Sequence, residues 1–163
     1  SPGFAARLLA QTEAVGLTPE TVEFEVTEGI AMQDAPWAIE QVEALKAAGF
    51  RIALDDFGTG YSSLSHFDRL PIDTLKIDRN FISPLNERTA RRSLAAVMIG
   101  MAEVLKVDFV AEGIETLAQE QALLFLGCGI GQGYLYGRPV PILDFNKEYL
   151  ENPKENRIEN PAP

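Results

Sequence analysis

Strand-like and helix-like stretches take turns along the chain. "VEFEVTE" (Val22–Glu28) is rich in β-favouring residues. "PWAIEQVEALKAAG" then sets Ile39, Val42 and Leu45 on one helical stripe, with Gly49 as its stop. "FRIALDD" (Phe50–Asp56) is the next apolar run, and "SSLSHFDRL" predicts a short helix with Leu64, Phe67 and Leu70 on one side. "DTLKID" (Asp73–Asp78) reads as a third strand. "NERTARRSLAAVMIGMAEVLK" (Asn86–Lys106) reads as one long helix, with Ala90, Leu94, Val97, Met98, Met101 and Leu105 at helical spacing. "DFVAEGIE" (Asp108–Glu115) is a fourth strand. Thr116 and Gln119 form a capping-box pair that opens a helix ended by Gly127, and "GIGQGYLYGRP" carries a short final strand.

This alternation predicts an α/β fold with parallel strands. Four of the strand runs finish on acids: Glu25 and Glu28, Asp55 and Asp56, Asp78, and Glu112. In a parallel α/β fold those strand ends share one rim, and in a (β/α)₈ barrel that rim carries the active site. A full barrel has eight strands, whereas five are legible here, so either an incomplete barrel or a smaller open sheet fits the pattern. The polar, Pro-rich "ENPKENRIENPAP" (Glu151–Pro163) reads as a mobile tail following a domain over residues 1–150.

The 163 residues suit one domain with a real core, and the composition is that of a soluble globular protein. A formal net charge of −10 argues against general binding to a nucleic-acid backbone, and no DNA partner is expected. It is compatible with a phosphorylated ligand held through divalent cations. The single cysteine, Cys128, excludes an internal disulfide and a Cys-rich zinc site. No leader peptide or membrane-inserting stretch is legible, so a cytoplasmic setting is expected, within a membrane-anchored parent or not.

The acids carry the chemistry. Lys76 and Asp78 stand two apart on a predicted strand and so share a face. Asp55 and Asp56 cannot share a face of a regular strand, so the chain bends there, with Gly58 and Gly60 permitting a tight path. Adjacent carboxylates with further acids nearby suit two divalent ions, and oxygen donors point to Mg²⁺ or Mn²⁺ and to phosphate-ester cleavage. His66, the only histidine, falls in a predicted helix, which argues against a His-based zinc site. Taken singly, each feature has an ordinary reading. Asp55–Asp56 can be a turn, Glu25 and Glu28 a solvated strand end and a cap, and Lys76–Asp78 a structural ion pair. "GIGQGYLYG" has the wrong glycine spacing for a dinucleotide loop, and "DDFG" lacks the other kinase motifs.

The motifs gain weight in order. "EVTE" (Glu25–Glu28), "DDFGTGYSSL" (Asp55–Leu64), "LKIDRNF" (Leu75–Phe81), "AEGIET" (Ala111–Thr116) and "QGYLYGRP" (Gln132–Pro139) follow one another in a sequence that closely resembles the EAL domain, the bacterial cyclic di-GMP phosphodiesterase family, over Phe4 to Val140. The resemblance implies the C-terminal portion of a (β/α)₈ TIM-like barrel, with about five strands present. It implies a Mg²⁺- or Mn²⁺-dependent opening of cyclic di-GMP to linear pGpG. It casts Glu25, Asp55 and Asp56 as metal ligands, with Asp55 shared between two ions. It casts Lys76 as the lysine at the nucleophilic water and Glu112 as general base or as a ligand through water. Gln132 orients the water or the substrate, and Glu28 anchors the loop Phe57–Leu64. Asp78 and Glu115 lie in matching motifs without a fixed role.

The family's name-giving Glu-Ala-Leu strand, which would precede these motifs, has no counterpart ahead of them. The resemblance therefore implies a two-metal site that is incomplete in this chain, and exposed strand edges that invite a homodimer or completion by another chain. Three functional readings follow: part of a phosphodiesterase, a cyclic di-GMP receptor that does not cleave, or a fragment inactive by itself.

Overall fold

The computed structural model describes residues 3–31, 36–58, 70–86 and 88–151. Five parallel strands lie side by side in chain order: β1 (Glu23–Thr27), β2 (Arg51–Phe57), β3 (Thr74–Ile77), β4 (Asp108–Glu112) and β5 (Gly131–Gln132). Helix α1 (Phe4–Ala14) precedes β1, and the described helices between the strands are α2 (Glu28–Ala31), α3 (Pro36–Ala47), α4 (Arg79–Ile82), α5 (Leu94–Leu105) and α6 (Leu117–Phe125). A short α7 (Ile142–Phe145) and a π-helical turn over Asn146–Glu151 follow β5. Sequential, all-parallel order with helical crossovers is the arrangement of a (β/α)₈ barrel, here represented by five strands. The predicted helix "SSLSHFDRL" and His66 fall outside the described residues, as does the tail beyond Glu151.

The two faces of the sheet differ in chemistry because side chains alternate along each strand. Phe24 and Val26, Ile52 and Leu54, Leu75 and Ile77, and Phe109 and Ala111 belong to the apolar core, where the helices pack. The alternate positions carry Glu23 and Glu25, Arg51 and Asp55, Thr74 and Lys76, and Asp108 and Glu112. One face is thus a hydrophobic floor and the other a polar one.

At the starts of the strands, the polar face holds a row of contacts across β1 to β4. Arg51 donates to Glu23 Oε2 at 3.3 Å and to Asp108 Oδ2 at 2.7 Å, and it reaches Thr74 Oγ1 at 3.3 Å. Thr74 Oγ1 donates to Glu23 Oε2 at 2.6 Å. Just behind this row, Lys46 of α3 pairs with Asp73 at 2.6 Å, and Asp73 also accepts the Ile52 N–H at 2.8 Å. Burial alone would raise the Asp73 carboxyl pKa, but the bonds from Lys46 and Ile52 outweigh it and hold it below its usual range.

Four sequence expectations change. The long helix over Asn86–Lys106 is interrupted. Asn86 Oδ1 accepts the N–H groups of Arg88 and Thr89, a 3₁₀ turn covers Ala90–Arg92, and extended Ser93 caps α5 by accepting the Ala96 N–H at 3.2 Å. Asn and Ser compete for backbone groups outside helices, and here they win over the apolar spacing. The third strand stops at Ile77. Asp78 is the N-cap of α4, bonded to the Asn80 N–H at 3.0 Å, so it does not share a strand face with Lys76. The first strand likewise stops at Thr27, and Glu28 opens α2. The fourth strand, read to Glu115, stops at Glu112, and Gly113 leaves the sheet at positive φ. Other signals hold. The Thr116–Gln119 capping box is formed, and Gly49 and Gly127 end their helices at positive φ.

Candidate functional site

The site grows from the ends of four strands. Glu25 lies on β1, Asp55 on β2, Lys76 on β3 and Glu112 at the end of β4. Their side chains meet on the polar face. Lys76 Nζ donates to Glu25 Oε1 at 2.6 Å and contacts Glu112 Oε1 at 2.7 Å. Asp55 Oδ1 stands 3.2 Å away. The lysine side chain is 9% exposed, whereas Glu25 is 54% exposed, so the cluster is buried at its centre and open at its β1 side. Burial alone would push the Lys76 ammonium towards neutrality. Hydrogen bonds to Glu112 and Glu25, and the charge of Glu112, outweigh it and hold its pKa above the ordinary lysine value.

Asp55 and Asp56 sit where β2 leaves regular geometry. The pairing with β3 shifts register between Leu54 and Phe57, and Asp56 takes the left-handed conformation at φ 56°. A bulge with a left-handed residue suspends the strict alternation of a strand. Asp55 is half-buried, Asp56 exposed, and both flanking residues, Leu54 and Phe57, are buried. The bend expected from the adjacent aspartates is this bulge.

Glu28 is buried, and its Oε2 accepts the Gly58 N–H at 2.8 Å. The segment after Gly58 lies outside the described residues. Beyond β4, a cleft of about 230 Å³ is lined by Asp78, Glu112, Glu115, Gln132 and Tyr134, with Arg79 and two glycines. Asp78 and Glu115 therefore border the same hollow as Glu112 and Gln132, although neither lies on a strand. Gln132 pairs in register with Glu112. Cys128 is buried, its thiol pushed up by burial and bonded to the Ile130 carbonyl at 3.2 Å.

Gln132 owes its position to its neighbour. The Ile114 N–H donates to the Gln132 carbonyl, the Leu135 N–H donates to the Ile114 carbonyl, and a Cβ on Gly133 would run into the Ile114 backbone. Gly133→Ala is expected to lose about 1–3 kcal/mol of stability through overpacking. Urea denaturation reads this directly, and an unchanged midpoint would contradict the close approach.

The oxygen donors can be tested for their fit to divalent ions. Among the described residues no group of three or more acids converges as a ready metal cage. The space between Glu25, Asp55 and Glu112 is taken by the Lys76 ammonium. Asp55 Oδ1 is buried, with the Lys76 ammonium at 3.2 Å and no other partner among the described residues. A buried carboxylate oxygen so placed beside further acids fits a hard cation.

The EAL domain family matches residues 1–139. The chain belongs to the EAL domain family. The tripeptide Glu43-Ala44-Leu45 is not its signature strand, since it lies within α3. Among relatives of this EAL domain is the bifunctional diguanylate cyclase/cyclic di-GMP phosphodiesterase MucR of Pseudomonas aeruginosa. It is 45% identical over 125 residues, which cover 77% of this chain and 18% of MucR. An uncharacterized protein of Azorhizobium caulinodans is 47% identical over 126 residues, covering 77% of this chain and 17% of that protein. The chain thus spans less than a fifth of these curated relatives. Among solved structures, the MucR phosphodiesterase in complex with cyclic di-GMP superposes with a TM-score of 0.80 at 40% identity, over 88% of this chain and 64% of that one. Klebsiella pneumoniae BlrP1 with manganese and cyclic di-GMP gives a TM-score of 0.77 at 33% identity, over 85% and 36%. The EAL domain is therefore homologous to cyclic di-GMP phosphodiesterases. No helix among its described residues is long and apolar enough to cross a membrane.

The row formed by Glu23, Arg51, Thr74 and Asp108 was not singled out in the sequence. The signal was available, because these residues stand two or four positions before Glu25, Asp55, Lys76 and Glu112 on the same faces.

Proposed function

We propose that this EAL domain is part of a phosphodiesterase that opens cyclic di-GMP to linear pGpG. The observation that carries the reading is one buried lysine held among three carboxylates from three other strands at the C-terminal rim. Support comes from relatives named as cyclic di-GMP phosphodiesterases and from similar structures in complex with that dinucleotide.

In this reading Glu25, Asp55 and Asp56 would hold Mg²⁺ or Mn²⁺. Such ions, when bound, neutralise phosphate charge and make water a better nucleophile. The chain's own groups do the rest. Glu112 accepts the proton of the attacking water, whose oxygen bonds to phosphorus as the bond to the ribose 3′ oxygen breaks and that oxygen takes up a proton from solvent water. Lys76 balances the charge of the carboxylates and holds Glu112 in place. Gln132, beside Glu112 on β5, orients water or substrate. Glu28 fixes the chain that follows Asp56 through Gly58. Asp78 and Glu115 border the cleft and can contact the dinucleotide.

The five strands supply only part of an eight-stranded rim. We expect the 163-residue chain alone to hydrolyse cyclic di-GMP slowly or not at all, and a longer form with the remaining strands to turn over with Mg²⁺ or Mn²⁺. Chromatographic detection of pGpG, beside calorimetric titration with Mn²⁺ and with cyclic di-GMP, tests this. Robust turnover by the chain alone would overturn the incomplete-site reading. Binding without turnover in the longer form would make the domain a receptor.

A further inference from the structure

The proposed reaction leaves one cation of the cleft beyond β4 without a role. Arg79, the first residue of α4, is exposed and lines that cleft with Asp78, Glu112, Glu115, Gln132 and Tyr134. It makes no ion pair and no side-chain hydrogen bond among the described residues, although three carboxylates border the same hollow. Glu112 is held by Lys76, and Asp78 caps α4. The Glu115 carboxylate, like the Arg79 guanidinium, has no such partner among the described residues. A guanidinium fork and a carboxylate within reach of each other pair strongly. Here the two border one cleft and stay apart, so the cleft offers a pair of donors and a pair of acceptors at once.

The backbone beneath Arg79 is shaped for it. Gly113 follows Glu112 at φ 69°, and a Cβ there would run into the Arg79 Cβ. Glycine alone meets both demands, the left-handed turn and the close approach. The arginine stem therefore lies over the end of β4, beside Glu112. Tyr134 supplies an aromatic wall. It borders this cleft and a larger hollow past β5, and Arg138, which borders only that second hollow, sits 4.5 Å from the ring centroid. Arg138 thus braces the ring from the side of the second hollow and leaves the wall of the cleft bare.

At about 230 Å³ the cleft is smaller than a pocket for a drug-sized ligand, and it suits one flat ring system rather than a whole dinucleotide. Its chemistry chooses the ring. Guanine presents two acceptors, N7 and O6, on one edge and two donors, N1–H and the N2 amine, on the next. Arg79 matches the first edge, Glu115 the second and Tyr134 the flat face. Adenine would turn its N6 amine, a donor, towards the donors of Arg79. A phosphate seated against Arg79 would meet the like charges of Asp78 and Glu115.

We propose that Arg79 reads the N7–O6 edge of one guanine of the bound dinucleotide, with Glu115 on the neighbouring edge and Tyr134 against the face. This rests on the reading of the ligand as cyclic di-GMP but not on its cleavage. Arg79 meets a base and not the attacked phosphorus, so it sets which dinucleotide is held rather than how fast the ester opens.

Calorimetric titration of the form that carries the whole barrel, without added metal so that the ligand stays intact, tests this. Arg79→Met keeps the stem over Gly113 and removes the fork, and its affinity for cyclic di-GMP should fall about 10–100-fold. Arg79→Lys keeps the charge without the fork and should recover little of that loss. A second ligand, cyclic di-GMP with 7-deazaguanine in place of guanine, lacks the N7 acceptor. It should bind the unsubstituted protein more weakly than cyclic di-GMP does, and this penalty should shrink in Arg79→Met, because both changes remove the same contact. An Arg79→Met affinity within about 2-fold of the parent's, recovery by Arg79→Lys as a phosphate contact requires, or an N7 penalty that the substitution leaves unchanged would each overturn the proposal. An unsubstituted protein that does not bind cyclic di-GMP would overturn it together with the phosphodiesterase reading. Binding without turnover, with the Arg79 effects as stated, would support it while removing the cleavage reading alone.

Discussion

Lys76→Met is expected to cost the metal-free chain about 3 kcal/mol, and added Mn²⁺ is expected to recover much of that loss. Removing one partner of a buried ion pair costs about 3–5 kcal/mol, because the remaining charge is left uncompensated. Here the loss would leave Glu25, Asp55 and Glu112 facing one another around a methionine. Glu25 is more than half exposed and keeps part of its hydration, which places the effect at the low end of that range. A bound cation replaces the missing positive charge, so its effect on stability should be larger in the variant than in the parent. Urea denaturation of both proteins, with and without Mn²⁺, measures the four stabilities. A loss below about 0.5 kcal/mol would mean that the carboxylates are independently solvated and that the lysine does not organise them.

Glu112→Gln is the second large effect, and it falls on turnover. Glutamine keeps the shape and can still accept a hydrogen bond from Lys76 but has no basicity. Loss of a general base costs about 10²–10⁴-fold in rate. In the form of the protein that carries the whole barrel, hydrolysis should fall by that factor while cyclic di-GMP binding persists, because most of the ligand's surface lies away from the attacked phosphorus. Both quantities are measured on one folded preparation. Near-normal turnover would make Glu112 a structural partner of Lys76 and nothing more.

Four of the five strands were legible because acids stand at or just beyond the end of a β-favouring run, where they cannot be mistaken for core; β5, Gly131–Gln132, carries none. Asp55–Asp56 announced its bulge, since two adjacent carboxylates cannot both stay on one face of a regular strand. Asp78 misled because its spacing from Lys76 fits a strand, while its actual work, bonding the Asn80 N–H, is local and leaves no periodic trace. Helix α1 was not foreseen. Its N-cap, Gly3, makes no side-chain hydrogen bond and none of its residues is fully buried, yet Ala5, Leu8 and Leu9 stand at helical spacing and pack on the core, a signal the sequence did carry. The position of Lys76 among three carboxylates joins residues up to 51 positions apart, a relation that only the sheet order creates.

The row of contacts at the starts of the strands bears on how the sheet finds its alignment. A strand that slips by two residues keeps its inward and outward sides, so hydrophobicity alone cannot reject the error. Arg51 and Lys76 can. Arg51 reads Glu23 and Asp108 at one end of the sheet, and Lys76 reads Glu25, Asp55 and Glu112 at the other. Slipping β1 by two would bring Glu25 to Arg51, yet it would take Glu25 away from Lys76. A displaced strand can satisfy one cation only by deserting the other. The two rows act together as a vernier, and they bring the carboxylates of separate strands to the same height at the rim before any ligand is present.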